Sequence, residues 1–273
     1  MTRLFLKKLG LFTKLCPVAV LSLVVWVIPS VVCAQDVPPE SDRTVKILPR
    51  SAFHMSAAGL SYDDPKFSWD ANFGGELDLV DYGVGRLTFE ANYQVLLGKE
   101  FRTFDPNQGN YILASQLSLR INKTEVAAVL YHQSRHLSDR PKRKSIDWNE
   151  LGIRVRRQFV SSRATLDTRA DLRAVITKSA VDYSWELDTG LRLDVPLRPG
   201  VGAMANFDYR HLGVDGRLGR SGQTGLRLDG GIRLEGRAAA VELFVGVERR
   251  IDPFPFEFGT AQWFSAGFRL LSR

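Results

Sequence analysis

The residues best suited to chemistry lie together in Tyr131-His132-Gln133-Ser134-Arg135-His136-Leu137-Ser138-Asp139. The chain has 4 histidines, His54, His132, His136 and His211, and this segment holds two of them. In an extended strand successive side chains point to opposite faces, so His132, Ser134 and His136 share one face. A hydroxyl two positions from an imidazole on that face is within its reach. Activating a serine takes an adjacent base, itself oriented by a third group. Asn149 at the head of the next segment, Asp139 and Asp147 are each placed to be that group. The cluster of His136, Ser138 and Asp139 reads equally as a polar or ligand-binding group at a strand end, with its metal preference undefined.

The element that must carry these residues is one of a series. From Phe67 to Leu79, Phe67, Trp69, Ala71, Phe73, Leu77 and Leu79 alternate with Ser68, Asp70, Asn72, Glu76 and Asp78. Period-two alternation predicts a strand with one apolar and one polar face. Twelve such segments follow one another: Ser51–Ser61, Phe67–Leu79, Arg86–Leu97, Tyr111–Ile121, Glu125–His136, Asn149–Phe159, Ala164–Ile176, Trp185–Val195, Val201–His211, Leu226–Glu235, Ala239–Val247 and Gln262–Leu270. Most reach the about 9–11 residues of a tilted transmembrane strand. Their connections alternate. Asn122–Thr124, Val160–Arg163, Pro196–Gly200 and Gly236-Arg237 are tight, whereas Gly98–Asn110, Leu137–Trp148, Leu212–Gly225 and Arg249–Thr260 are long. The expected fold is an all-β, transmembrane, antiparallel up-and-down β-barrel of about twelve strands, with short periplasmic turns and longer external loops. A soluble sandwich has no need of that alternation.

The polar faces carry both signs of charge. Asp167, Arg169, Asp171 and Arg173 oppose Leu166, Ala170, Leu172 and Ile176; Arg227, Asp229, Arg233 and Glu235 oppose Leu226, Leu228, Ile232 and Leu234. Charges placed in lipid cost a few kcal/mol each near the midplane, so these face a lumen that is expected to be polar, ion-paired and largely plugged. Tyr62, Tyr82, Tyr111, Trp148, Tyr183, Trp185, Tyr209 and Trp263 lie near strand ends and are expected in interfacial girdles.

The N-terminus reads as an export signal over residues 1–34. Arg3, Lys7, Lys8 and Lys14 precede the apolar run Val18–Val32, and Val32-Cys33-Ala34 suits cleavage before Gln35. A flexible lead-in over 35–46 and a barrel over 47–273 complete the expected organisation. Cleavage removes both cysteines, Cys16 and Cys33, so no disulfide is expected. It also lowers the net charge of +7 to about +3, too little for the concentrated basic stripe of a nucleic-acid binder. No later stretch approaches the ~18 apolar residues of a spanning helix. The expected location is the outer membrane of a Gram-negative-type bacterium. The expected partners are its lipids and lipopolysaccharide, with the chain a monomer or weak homodimer. Arg140, Lys142, Arg143 and Lys144 form a basic external loop that fits lipopolysaccharide phosphates; a solvated loop is the other account. Phe101–Asn110 and Asp252–Phe258 read as aromatic- and proline-bearing loops that pack on themselves, fold over the rim or contact a partner.

Two resemblances bear on the chemistry. His132, Ser134, His136 and Asp139 match a His-x-Ser-x-His-x-x-Asp segment of bacterial outer-membrane barrels with no assigned activity. His132, Ser134, Ser138 and Asp139, followed by Trp148-Asn149, also resemble the His-x-Ser-x-x-x-Ser-Asp segment of outer-membrane phospholipase A, a twelve-stranded barrel family. That second resemblance implies Ser134 as nucleophile, His132 as base and Asn149 as orienter, on a lipid-facing wall and with calcium. The chain departs from that family where Arg135-His136 follow the serine in place of Asn-Gly, and in the longer segment to the asparagine.

Parity decides whether that geometry is possible. Asn149 shares a face with Leu151, Ile153 and Val155, which look outward. His132 and Ser134 share a face with Val126, Ala128 and Leu130, but the opposite face holds Ala127, Val129 and Tyr131, so both faces are apolar. An outward His132 fits a calcium-assisted lipid acyl-ester hydrolase. An inward one fits a lumenal polar network. Three functions therefore stand open on the sequence: a barrel with a structural or interaction role, that hydrolase, and a narrow solute channel.

Overall fold

The computed structural model describes residues 44–138 and 144–272. The expected signal segment and most of the lead-in lie outside the described residues. The strands are β1 (Lys46–Ser61), β2 (Trp69–Asp81), β3 (Arg86–Gly98), β4 (Asp105–Ile121), β5 (Thr124–Leu137), β6 (Ile146–Val160), β7 (Thr165–Ser179), β8 (Tyr183–Arg198), β9 (Val201–Val214), β10 (Gln223–Glu235), β11 (Ala239–Ile251) and β12 (Thr260–Ser272). Each pairs antiparallel with its sequence neighbours, and β1 pairs with β12, which closes the barrel. Closure leaves no open edge, as a sheet in lipid requires. Among the described residues no helix is long and apolar enough to cross a membrane.

The connections after even-numbered strands are tight. Asn122, with φ at +54°, and Lys123 form the turn between β4 and β5, and Gly200, with φ at +75°, closes that between β8 and β9. Asparagine and glycine tolerate this left-handed backbone. The other connections are longer, except 180–182 between β7 and β8. All four loops expected to be long are shorter than read. Asp105–Asn110 belongs to β4, with Asp105, Asn107, Gln108 and Asn110 all buried. These are turn-forming residue types, but their side chains are held: Asn107 donates to the Lys66 carbonyl and Asn110 to Gln94. Pro196 also lies within β8, at a bulge, rather than in the turn.

The apolar residues look outward. Leu130, Leu151, Ile153, Leu172, Ile232, Leu243 and Val245 are all exposed on the outer wall, an apolar belt of the kind that meets lipid rather than water. The lumen holds the charges. Arg173, 1% exposed, reaches Glu150, Asp171, Glu186 and Asp188 from one guanidinium. Arg154 forks onto Asp171 at 2.7 and 2.9 Å. Glu242 takes Arg192, Arg233 and Arg269.

The external mouth has an apolar floor of its own. Ile146, Trp148, Val181, Tyr183, Leu212 and Ile251 form one buried cluster; Phe67, Leu96, Ala261 and Trp263 form another. Trp148, Tyr183 and Trp263 are therefore not girdle residues, and Phe67 is not on the outer face. Strand parity sets Trp148 opposite to Asn149, and β2 begins only at Trp69, so Phe67 turns inward before the alternation starts. Tyr111 and Trp185 do stand on the outer wall. Arg220 ties the loop after β9 across the mouth, to Asp182 at 2.8 Å and Asp252 at 2.8 Å.

Candidate functional site on the outer wall

β5 resolves the parity question. Ala127, Val129, Tyr131, Gln133 and Arg135 are buried toward the lumen, while Leu130 is exposed. His132, Ser134 and His136 share the parity of Leu130 and so stand on the outer wall, near the external end of the strand. The lumenal residues anchor that end from behind. The Tyr131 hydroxyl donates to Gln133 at 3.0 Å, Arg173 lies 4.6 Å over the Tyr131 ring, and Arg135 lies 5.3 Å over that of Trp148.

Register then brings Asn149 to His132. The two are directly opposed across β5 and β6, and His132 Nδ1 lies 2.9 Å from Asn149 Oδ1. The other end of the amide is also committed: Asn149 Nδ2 donates to Thr177 Oγ1 at 2.7 Å. A bulge creates that second contact. Asn149 pairs with Thr177 and Glu150 with Val175, so Ile176 is passed over. Bulges re-aim side chains in this way. With Nδ2 turned to Thr177, Oδ1 faces the imidazole and accepts from Nδ1–H. This fixes the tautomer and leaves the Nε2 lone pair available, the form a general base needs.

Ser134 lies between two imidazoles on this face. Its Oγ is 3.3 Å from His136 Nε2, so the hydroxyl is turned to His136 rather than to His132. A single χ1 step between staggered positions turns it toward the other ring. The His136 ring meets Tyr111 edge-on, with centroids 5.1 Å apart and planes at 88°. Tyr111 is opposite Ser134 in register, contacts Tyr93 at 4.6 Å, and Tyr93 contacts Phe73 at 5.3 Å. An aromatic row thus runs across the outer wall from β2 to the serine.

Of the other expected site residues, Asp147 is directly across from Ser134 on β6. Ser138 is in the turn after β5, where its amide donates to the Asn107 carbonyl at 3.2 Å. Asp139, Arg140, Lys142 and Arg143 lie outside the described residues, and Lys144 is exposed. Thr177 is the residue sequence reasoning missed, since its place depends on the bulge. Calcium takes 6–8 oxygen ligands, several of them carboxylate. Among the described residues no three or more His, Cys, Asp or Glu side chains are grouped to hold a metal.

The closed barrel with an apolar outer wall and an ion-paired lumen defines a membrane-spanning β-barrel of the outer-membrane type. No protein-family model and no curated protein matches the chain. Solved structures do. The chain is similar to outer membrane phospholipase A from Escherichia coli at 10% identity and a TM-score of 0.51, over 81% of this chain and 92% of that one. It is similar to the Salmonella typhi outer membrane phospholipase, solved as a dimer with bound calcium, at 12% identity and a TM-score of 0.52, over 86% of this chain and 94% of that one. At such identities the likeness is one of fold, and it fits placement in the outer membrane of a Gram-negative bacterium.

Proposed function

We propose that the protein is a serine hydrolase of lipid acyl esters, with Ser134 as nucleophile, His132 as general base and Asn149 as its orienting partner. The observation that carries this reading is the 2.9 Å contact between His132 Nδ1 and Asn149 Oδ1, on the lipid-facing wall and two residues from the serine. A general base needs one ring nitrogen held and the other free of a proton, and this contact supplies that. The phospholipase fold named by two similar structures supports the same reading.

The chemistry follows from the placement. His132 Nε2 takes the proton from Ser134 Oγ as Oγ bonds to the ester carbonyl carbon. Collapse of that adduct breaks the ester C–O bond, and the leaving alcohol takes the proton back from His132. Water then releases the acyl group by the same steps in reverse. The site is at the external end of the wall, so the esters within reach belong to the outer leaflet, where lipopolysaccharide and phospholipid are the available acyl donors.

The test is acyl release from phospholipid and from lipid A in mixed micelles by the refolded barrel and by Ser134→Ala, with calcium and with chelator. Release is expected from the parent and a drop of about 10³-fold or more in the variant. The comparison of calcium with chelator reads whether turnover depends on the metal. Equal release by both proteins removes Ser134 from the mechanism.

A further inference from the structure

We infer that His136 is a second catalytic residue, whose Nε2–H holds the negative charge that develops on the acyl carbonyl oxygen. The inference rests on the hydrolase reading above.

An attacking serine needs donors aimed at the oxyanion, and serine hydrolases commonly take them from backbone amides at a helix N-terminus or a sharp turn. Ser134 has neither. It lies inside a strand paired on both sides, opposite Tyr111 of β4 and Asp147 of β6. The pairing to β4 and β6 continues on both sides from Thr124 through Arg135. The amides around the nucleophile are thus committed to the ladder, and the donor must be a side chain.

His136 is the side chain in place. Its Nε2 is 3.3 Å from Ser134 Oγ, and its ring is exposed. The edge-on contact with Tyr111 sets the ring's plane. The two imidazoles are differently committed. His132 is tied through Nδ1 to Asn149, which leaves a lone pair at Nε2. His136 meets the hydroxyl through Nε2 itself, and with the proton on that nitrogen it is a donor aimed at the serine.

The step balances with one proton moving. Oγ bonds to the carbonyl carbon, the carbonyl π pair moves onto its oxygen, and the Oγ proton passes to His132. The new oxyanion is on the carbon bonded to Oγ, within reach of the N–H that held Oγ before attack. When the adduct collapses the pair returns, the C–O bond breaks and the alcohol leaves with the proton from His132. His136 keeps its own proton throughout.

The experiment compares the parent with His136→Ala, His136→Gln, His132→Ala and Ser134→Ala in detergent micelles. It reads turnover of a p-nitrophenyl acyl ester, its pH profile, and labelling by a fluorophosphonate. Heat-modifiable migration on gels confirms that each barrel is folded. Losing one oxyanion donor costs about 10²–10³ in kcat. That loss is expected in His136→Ala, with KM within a few-fold. At least tenfold recovery is expected in His136→Gln, whose amide donates in the same place, and the acidic limb of the pH profile is expected in both. His136→Ala at the parent rate overturns the inference, and so does His136→Gln no faster than alanine. Loss of the acidic limb in the His136 variants makes His136 the base and also overturns it. A parent that neither turns over nor takes the label fails the hydrolase reading itself, and the inference with it.

Discussion

At the scale of single residues, the site is a chain of commitments that runs from Thr177 to His132. Thr177 fixes the amide of Asn149, Asn149 fixes the ring of His132, and in the proposed mechanism the ring's free nitrogen takes the Ser134 proton. Each link has its own signature when removed. Asn149→Ala unties the imidazole, and a lost hydrogen bond of about 1–3 kcal/mol corresponds to a fall of about ten- to a hundredfold in kcat. Asn149→Asp keeps an acceptor toward Nδ1 and is expected to retain most of the rate. Thr177→Val keeps the side-chain shape but removes the acceptor for Nδ2. A fall of about tenfold at unchanged KM is expected there, since the link is one step further from the serine. Steady-state kinetics on a soluble ester read all three, and a Thr177→Val barrel at full rate removes that residue from the chain. Both faces of β5 are apolar, so which one looks outward was not legible in the sequence; that His132 and Ser134 share a face was, because period two assigns it without further information. Thr177 was not, because one skipped residue in β7 exchanges Ile176 for it.

At the scale of elements, the readings that failed have one cause. Period-two alternation assigns two faces but does not say where a strand begins. Asp105–Asn110 has the composition of a turn, yet its polar groups meet partners inside the barrel and the ladder extends through it. Trp148, Tyr183 and Trp263 have the composition of a membrane girdle, yet all three build the apolar floor of the external mouth: Trp148 and Trp263 fall on the lumenal parity, and a bulge between Tyr183 and Trp185 turns Tyr183 inward. The loop over that floor is held electrostatically. Lys178 meets Asp215 at 2.7 Å, and the Arg217 amide donates to the same carboxylate at 3.0 Å. These contacts hold the Asp215 carboxyl down at about 2. A carboxylate with a depressed folded pKa stabilises above its unfolded value of about 3.9, and that contribution is lost as pH falls through the folded one. The loop over 215–222 is therefore expected to loosen between about pH 4 and pH 2, seen as added pepsin cleavage there. Asp215→Asn is expected to be cleaved over the whole of that range. A cleavage rate that ignores both pH and the substitution removes the carboxylate from the tether.

At the scale of the whole molecule, the barrel puts its chemistry outside and its structural charges inside. A cavity of about 600 Å³ lined by Arg120, Arg156, Arg169, Arg192 and Asp208 lies in the periplasmic half of the lumen. Above it the Arg173 network ties neighbouring strands together, since Glu150, Glu186 and Asp188 come from strands β6 and β8 on either side of β7, and Arg154 carries it from Asp171 to Glu90 of β3. Above that is the apolar floor with the Arg220 tether. An ion crossing the lumen must displace paired charges and then pass the apolar floor and the ion pairs of the Arg220 tether, so a closed conductance trace is expected in planar bilayers. The network also supports the wall that carries Ser134, because Arg173 stacks on Tyr131 behind His132. Removing one partner of a buried ion pair costs about 3–5 kcal/mol, since the others stay buried without it. Arg173→Met leaves four clustered carboxylates one cation short, with Arg154 still on Asp171, Arg210 still on Glu186 and Asp188, and Glu150 without its arginine. It is expected to lower the urea midpoint of the barrel in detergent, to introduce conductance, and to reduce ester turnover through the strand behind the site. The double variant Arg173→Met with Glu186→Gln removes one of those charges and is expected to recover part of the midpoint. Open conductance in the parent overturns the layered account of the lumen, and an unchanged midpoint in Arg173→Met removes the network from the stability of the wall.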